Sequence, residues 1–488
     1  MTGHLHPLEQ ESSTMTSVGR HARHLALGLL LAGGLFATEA GAQAAFSTLD
    51  RSTGAQVRFS ASEQGKPILA GSEVTFTGQG FQPGQKVKLL YGATPLSEEA
   101  LTADGEGQIE GRLTIPEAAV FGTHPIVVVA EEPYYATVAD LKVSPDVPLS
   151  GQDDFTVDEA TGIARGLYQS AYSAENDALF VTSSIGRPPV RESEIVKLDP
   201  ETFEVLARVT PAAVPGADDA GEGDTGGPGV FAVYGIALDD ANDTLWVTNT
   251  RQDTVAVYQQ SDLSLVKQFD PGTVTHARDV RIDSGAGRAY ASATGTPDVV
   301  VFDTGTLEPV TTIEIEALGR GQQFSAASLS LDPEAKRLYV ASLSTNEVAV
   351  IDTETDTVEK VFPVPGARSA IGVSHDPETG RIFIAAQGSD NLIVLDGDSG
   401  AVIADTSVGA GALNVAFDPV NRLAYVSNRG AGTIAVTDPD GNIVANLGPA
   451  PLANHVALGK DGTVYAVDKS SGPGGGDSDT ILRIRPQE

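Results

Sequence analysis

Catalysis needs nucleophiles, general bases or metal ligands, and this chain offers few of them. It has eight histidines, four of them within the first 24 residues, leaving His124, His276, His375 and His455 for the body of the protein. There is no cysteine, which excludes disulfides, thiol nucleophiles, covalent c-type haem and cysteine-ligated zinc or iron–sulfur clusters. A single tryptophan, Trp246, argues against a quinone cofactor held between stacked indoles. No H-E-x-x-H helix, G-x-S-x-G elbow or G-x-x-x-x-G-K-[ST] phosphate loop occurs. Asp396-Gly397-Asp398-Ser399-Gly400 and Asp438-Pro439-Asp440-Gly441 echo calcium loops without completing their spacing, and read as hairpin turns. The expectation is therefore no catalytic residue, no metal and no cofactor. With 65 acidic against 31 basic residues the formal net charge is −34, which repels phosphate backbones and anionic lipid and makes nucleic acid a poor partner.

The elements that would position a site repeat. Phe180, Trp246, Tyr290, Tyr339, Phe383, Tyr425 and Tyr465 each open a similar strand. From Trp246 onward the gaps are 44, 49, 44, 42 and 40 residues, a period that means four-stranded propeller blades. One copy shows the grammar: Ser328 to Asp332, Arg337 to Val340, Glu347 to Asp352 and Val358 to Val364 are four strands joined by tight turns. An Asp closes the third strand as Asp199, Asp303, Asp352, Asp396 and Asp438; these predict turn caps rather than a carboxylate array. The last copy stops after its third strand, Ile481 to Ile484, and Asp154-Phe155-Thr156-Val157 is placed to supply the missing outer strand and close a seven-bladed ring. In such a ring, loops from every blade converge where the innermost strands begin. Reading each copy backwards places Arg165, Tyr168, Tyr234, His276, Arg278, Arg368, Asn414, Asn454 and His455 near those starts, as the candidate ligand-binding residues of a central channel. The acidic, glycine-rich tract 217–227 is an insertion between the first two blades, and Ser470 to Asp479 is a similar tract in the last.

Upstream, Arg20 and Arg23 precede a 13-residue apolar run, Leu25 to Ala37, followed by Ala40-Gly41-Ala42. The run is too short to span a bilayer, which takes about 20 residues. With its basic flank and small-x-small triplet it predicts a signal peptide cleaved after Ala42 and a periplasmic or secreted protein. From Gln56 to Val143 the alternation in Val74-Thr75-Phe76-Thr77 and Lys86-Val87-Lys88-Leu89 predicts a β-sandwich, with Ile126 to Val129 as a buried central strand. Residues 144–154 read as a linker. The organisation expected is all-β: a leader over 1–42, a sandwich over 43–148 and a seven-bladed propeller over 149–488, without a transmembrane segment and monomeric.

Two resemblances refine this. Gly78-Gln79-Gly80-Phe81-Gln82-Pro83-Gly84, followed by Val87 and Leu89, resembles the strand-turn-strand signature of Ig-like domains on bacterial exported proteins. Trp246-Val247-Thr248-Asn249, Tyr425-Val426-Ser427-Asn428 and Val348 to Thr353 resemble the YVTN-repeat β-propellers. Tyr168 to Ser173, Lys197-Leu198-Asp199-Pro200 and Asp479 to Ile484 are similar to their periplasmic YncE-like branch. That branch implies an exported seven-bladed binding or scaffold protein whose substrate is not settled, with single-stranded DNA as one proposed ligand; the partner expected for this chain is an unidentified small molecule or envelope protein. It also tends to carry Arg in the setting His276-Ala277-Arg278-Asp279-Val280, so Arg278 ranks first. The alternative reading is a propeller hydrolase, lyase or lactonase using a channel histidine and a metal, for which His276 and His455 are the available pair.

Overall fold

The computed structural model describes residues 54–215, 229–469 and 479–487. The expected leader, tract 217–227 and nearly all of the 470–479 tract lie outside the described residues.

Among the described residues, seven four-stranded antiparallel sheets follow the linker. Their innermost strands are Leu167–Ser173, Ile236–Asp239, Ala277–Asp283, Ala326–Asp332, Ala370–His375, Ala412–Asp418 and Ala453–Leu458. Each touches the next and the seventh touches the first, which makes a closed β-propeller. The seven periodic aromatics are all buried, because each stands in a second strand covered by the neighbouring blade. Trp246, for example, packs on Phe269 and Phe302 with ring centroids 5.8 and 5.5 Å away. Burying one large ring per repeat supplies roughly 2–3 kcal/mol of apolar burial each, and explains why the period is legible as aromatics.

The ring closes as the missing-strand argument requires. Phe155–Thr161 pairs antiparallel with Thr480–Pro486, Val157 opposite Ile484, as the outer strand of the seventh blade. Arg483 staples this seam from a buried position: it donates to Asp158 at 2.8 and 3.1 Å, to the Pro200 carbonyl at 2.8 Å and to the Glu201 carbonyl at 2.7 Å. The aspartates closing the third strands are turn caps: Asp199 accepts from the Glu201 and Thr202 amides, Asp303 from Gly305 and Thr306, and Asp352 from Glu354 and Thr355. The two calcium-like segments are turns as well, Asp396 capping Ser399 and Asp438 capping Asp440 and Asn442.

Gln56–Ala61, Glu73–Gln79 and Ile109–Thr114 form one antiparallel sheet. Lys86–Tyr91, Gly122–Glu131 and Tyr135–Val143, with two short strands, form a second. Their inner faces share a core that includes Val74, Phe76, Val87, Leu89, Ile126 and Val128, so this is a two-sheet sandwich. Ile126 to Val129 is central, between the other two long strands. It is buried on one side only, however: Ile126 and Val128 face the core while Val127 and Val129 are half exposed. A continuous apolar run does not require two covered faces when the second sheet lies on one side.

Candidate functional site

In each blade the inner strand starts on one face of the ring, and the loop between the second and third strands returns to that same face. Tyr168, at the start of the first inner strand, meets Tyr234, just before the second, edge to face with ring centroids 4.9 Å apart. Lys469, in the loop after the seventh blade's second strand Val464–Asp468, places its ammonium 4.7 Å over the Tyr168 ring and 5.5 Å from that of Tyr234. Arg429, after the sixth blade's second strand Leu423–Asn428, donates to Asn454 Oδ1 at 2.5 Å, and Asn454 Nδ2 donates to the Tyr168 carbonyl at 2.6 Å. Arg251, after the second blade's second strand Thr244–Asn249, is near enough to act on the Tyr234 hydroxyl, His276 and Lys469.

The electrostatics of this mouth are those of a cation cluster, partly offset by Asp468 and Asp479 beside Arg429 and Lys469 and by Asp253 beside His276. Burial, then the neighbouring Arg429, pushes the Lys469 ammonium down to about 8, with Asp479 pulling the other way and Arg251 adding to the depression. Burial likewise lowers Arg429, with Tyr168, Asp468 and Asp479 pulling the other way. His276 is lowered by burial and then by Arg251. Arg278 is half-buried, and its Nε is buried with no hydrogen-bond partner. Among the described residues no ion pair involves Arg251, Arg278, Arg429 or Lys469. Four cations and two tyrosines at one place suit an anionic ligand, since guanidinium and ammonium groups in a partly desolvated funnel attract carboxylate or phosphate oxygens.

Local backbone holds this arrangement. Gly235 is required: a Cβ there would stand 2.6 Å from the Arg278 carbonyl oxygen, so only glycine lets the second and third inner strands approach. His276 adopts φ 52°, in the left-handed region, with its amide donating to Asp253 Oδ1 at 2.6 Å.

The structure divides the nine residues expected at the strand starts. Tyr168, Tyr234, His276, Arg278 and Asn454 belong to this mouth. Asn414 is buried and stitches blades, accepting from the Val456 amide at 3.0 Å. His455 lies deeper in the channel, accepting from the Ser170 amide at 3.4 Å, and burial pushes it down to about 3 with Arg281 and Arg278 reinforcing; it is a neutral imidazole at ordinary pH. Arg165 and Arg368 are not brought to the axis. Arg165 is exposed and pairs with Glu192 at 3.0 Å on the rim. Arg368 pairs with Asp140 of the sandwich at 2.9 Å, because the sandwich covers that sector of the ring. Lys142 joins it there, donating to Asp390 at 2.6 Å and to the Gln387 carbonyl at 3.0 Å. A groove of about 700 Å³ runs between sandwich residues Phe59 to Ile68 and the propeller, reaching Arg429.

Sequence reasoning missed Lys469, Arg429 and Arg251. The signal was present: each follows, by one or two residues, the Asp or Asn that closes an aromatic-led second strand, at Asp468, Asn428 and Asn249. Among the described residues no three His, Cys, Asp or Glu side chains gather as a metal-binding group, and no helix there is long and apolar enough to cross a membrane.

No family model matches the sequence. The uncharacterized protein YncE of Salmonella typhimurium is 25% identical over 317 residues, covering 62% of this chain and 82% of that protein. The YncE protein of Escherichia coli (strain K12) is 25% identical over 205 residues, 40% of this chain and 51% of its own. Among solved structures, Kuenenia stuttgartiensis hydrazine synthase superposes with a TM-score of 0.52 at 16% identity, over 66% of this chain and 96% of that one. Virginiamycin B lyase from Staphylococcus aureus does so with 0.51 at 11%, over 68% and 100%. These likenesses place the chain among the β-propellers.

Proposed function

We propose that this β-propeller is an exported binding or scaffold protein whose strand-start mouth holds an anionic ligand without transforming it. The reading takes 1–42 as a leader removed after Ala42, 43–148 as an Ig-like domain and 149–488 as a seven-bladed propeller of YVTN type, monomeric in the periplasm or outside the cell. The single observation that carries it is the Lys469 ammonium set over the Tyr168 and Tyr234 rings beside Arg251, Arg278 and Arg429. A carboxylated or phosphorylated small molecule, or an acidic segment of an envelope protein, adds negative charge where four cations outnumber Asp468 and Asp479, and the tyrosines supply a stacking surface for its body.

A thermal-shift screen of carboxylates, phosphates and a single-stranded oligonucleotide, at low and moderate salt, tests the reading. A ligand at a hundredfold excess over its dissociation constant stabilises by about 2.7 kcal/mol, several degrees even in a large domain. Arg278→Ala is expected to abolish the shift while leaving the ligand-free midpoint nearly unchanged. If the substitution alone collapses the midpoint, Arg278 is structural and the pocket reading is wrong.

A further inference from the structure

The opposite end of the channel has different chemistry. There the inner strands of blades two, three, four and six end in Asp239, Asp283, Asp332 and Asp418, and Asp376 directly follows the end of the fifth. These carboxylates fix the following turns, as when Asp283 accepts from the Ala286 amide at 2.9 Å and Asp418 from Val420 at 2.9 Å. The residue before each Asp lines a cavity of about 460 Å³: Leu238, Ile282, Leu331 and Phe417 in four blades, but His375 in the fifth. A repeat that keeps an apolar residue at four equivalent positions and sets an imidazole at the other breaks its own packing rule there.

His375 has partners that suit a general base. Its Nδ1 lies 2.8 Å from Ser330 Oγ, its Nε2 lies 3.6 Å from Asp332 Oδ2, and its ring stacks on Tyr339 with centroids 5.2 Å apart. Ser330 and Asp332 stand two residues apart on one strand and so share a face. The Glu334 and Ala335 amides hold Asp332 Oδ1 at 3.1 and 2.9 Å, which leaves Oδ2 toward the imidazole. Burial lowers His375 despite Asp332 and Asp376, keeping the ring neutral and able to accept a proton. Arg281, tied to Asp279 at 2.8 Å, is the cationic side chain of the same cavity.

We propose that this turn-side mouth is a second, reactive site in which Ser330 is the nucleophile and His375 its base, taking an electrophilic acyl or phosphonyl group carried on an apolar chain. Serine, histidine and aspartate in this order act by proton abstraction from the hydroxyl and orientation of the imidazole, whichever fold carries them. The collar of Leu238, Ile282, Leu331 and Phe417 is the seat for the apolar chain. With an alkyl fluorophosphonate, Ser330 Oγ forms a bond to phosphorus as the P–F bond breaks, fluoride leaves, and the hydroxyl proton passes to His375 Nδ1.

The test is to incubate the purified full-length protein with an alkyl fluorophosphonate and follow intact mass and peptide maps. One adduct is expected, on Ser330, absent in Ser330→Ala and formed about a hundredfold more slowly in His375→Gln, the low end of what a positioned base contributes. Ser374 is an internal control that needs no variant: it lines the same cavity and is as buried as Ser330, at 9%, but its Oγ accepts the Phe417 amide and no histidine bond to it is present among the described residues. It should stay unlabelled in the wild-type protein. No adduct on Ser330, equal labelling of Ser374, or an unchanged rate in a folded His375→Gln protein would each overturn the proposal.

Discussion

Replacing Lys469 with methionine should make the ligand-free protein more stable and less able to bind. The ammonium is held near 8 in the fold against a reference of 10.5, and each unit is worth about 1.4 kcal/mol, so keeping it charged at neutral pH costs roughly 3 kcal/mol. Its contact with the Tyr168 and Tyr234 rings returns about 1 kcal/mol, and solvent reaching this half-buried group screens part of the cost. Methionine keeps the apolar stem over the tyrosines and drops the charge. A gain of about 1–2 kcal/mol at pH 7 follows, as expected where a binding site has been kept at the expense of stability.

The pH dependence fixes the cause. Because the folded value lies below the unfolded one, the unfolded chain binds this proton more tightly. Lys469 therefore withdraws stability as pH falls from about 10.5 through about 8, and below that its cost is constant. Urea unfolding of both proteins at pH 7 and at pH 10.5 should show the variant's advantage at pH 7 and its near disappearance at pH 10.5. A ligand found by thermal shift should stabilise the wild type and leave the variant almost unmoved. If Lys469→Met instead loses more than about 1 kcal/mol at pH 7, beyond the scatter of ordinary surface changes, the ammonium is a structural group and the mouth is not built for an anion.

Arg483→Met removes a 6%-exposed guanidinium from the Asp158, Pro200 and Glu201 acceptors of the closing seam, and should lower unfolding free energy by about 2–4 kcal/mol in urea; a loss under about 0.5 would show the seam does not depend on it. A chain beginning at Ile163 lacks the closing strand Phe155–Thr161 and should unfold without a cooperative transition, whereas one beginning at Gly151 should keep it; like behaviour of the two in thermal melts would count against the closure. His455, held near 3 by burial, is protonated in the unfolded chain first, so it withdraws about 1.4 kcal/mol of stability per pH unit as pH falls from about 6.5 toward that value. His455→Gln should flatten this part of the acid limb by that slope, and an unchanged limb would mean the imidazole is not held neutral.

The ring was readable because the feature that builds it is local. An aromatic every 40 to 49 residues from Trp246 to Tyr465 reports one buried second strand per blade, and a missing strand at the end reports its replacement at the start. Tyr168, Tyr234, Arg278 and Asn454 were readable for the same reason, since each lies at a fixed phase before a second strand. Arg368 was not, because what captures it is Asp140, 228 residues away on another sheet, and no period links a sandwich edge to a propeller rim. Lys469, Arg429 and Arg251 sit in loops whose aim depends on how far each chain turns after its strand, which phase alone does not give. His375 escaped notice as a lone histidine within a strand, although the aligned positions Leu238, Ile282, Leu331 and Phe417 already marked it as the exception.

The overall charge deserves the opposite weight from the one it first suggests. With 65 acids to 31 bases, a base on this surface meets a carboxylate easily, and Arg288 with Asp303, Arg337 with Glu359 and Arg208 with Glu194 are such pairs. Four cations without an ion pair among the described residues, gathered at one mouth, are therefore the improbable arrangement in this sequence. The exterior repels anions at distances beyond the roughly 8–10 Å over which salt screens charge, so affinity has to come from contact inside the funnel. Binding there should weaken less with added salt than it would for a protein that steers its ligand from afar, because the acidic exterior is screened along with the attractive cluster.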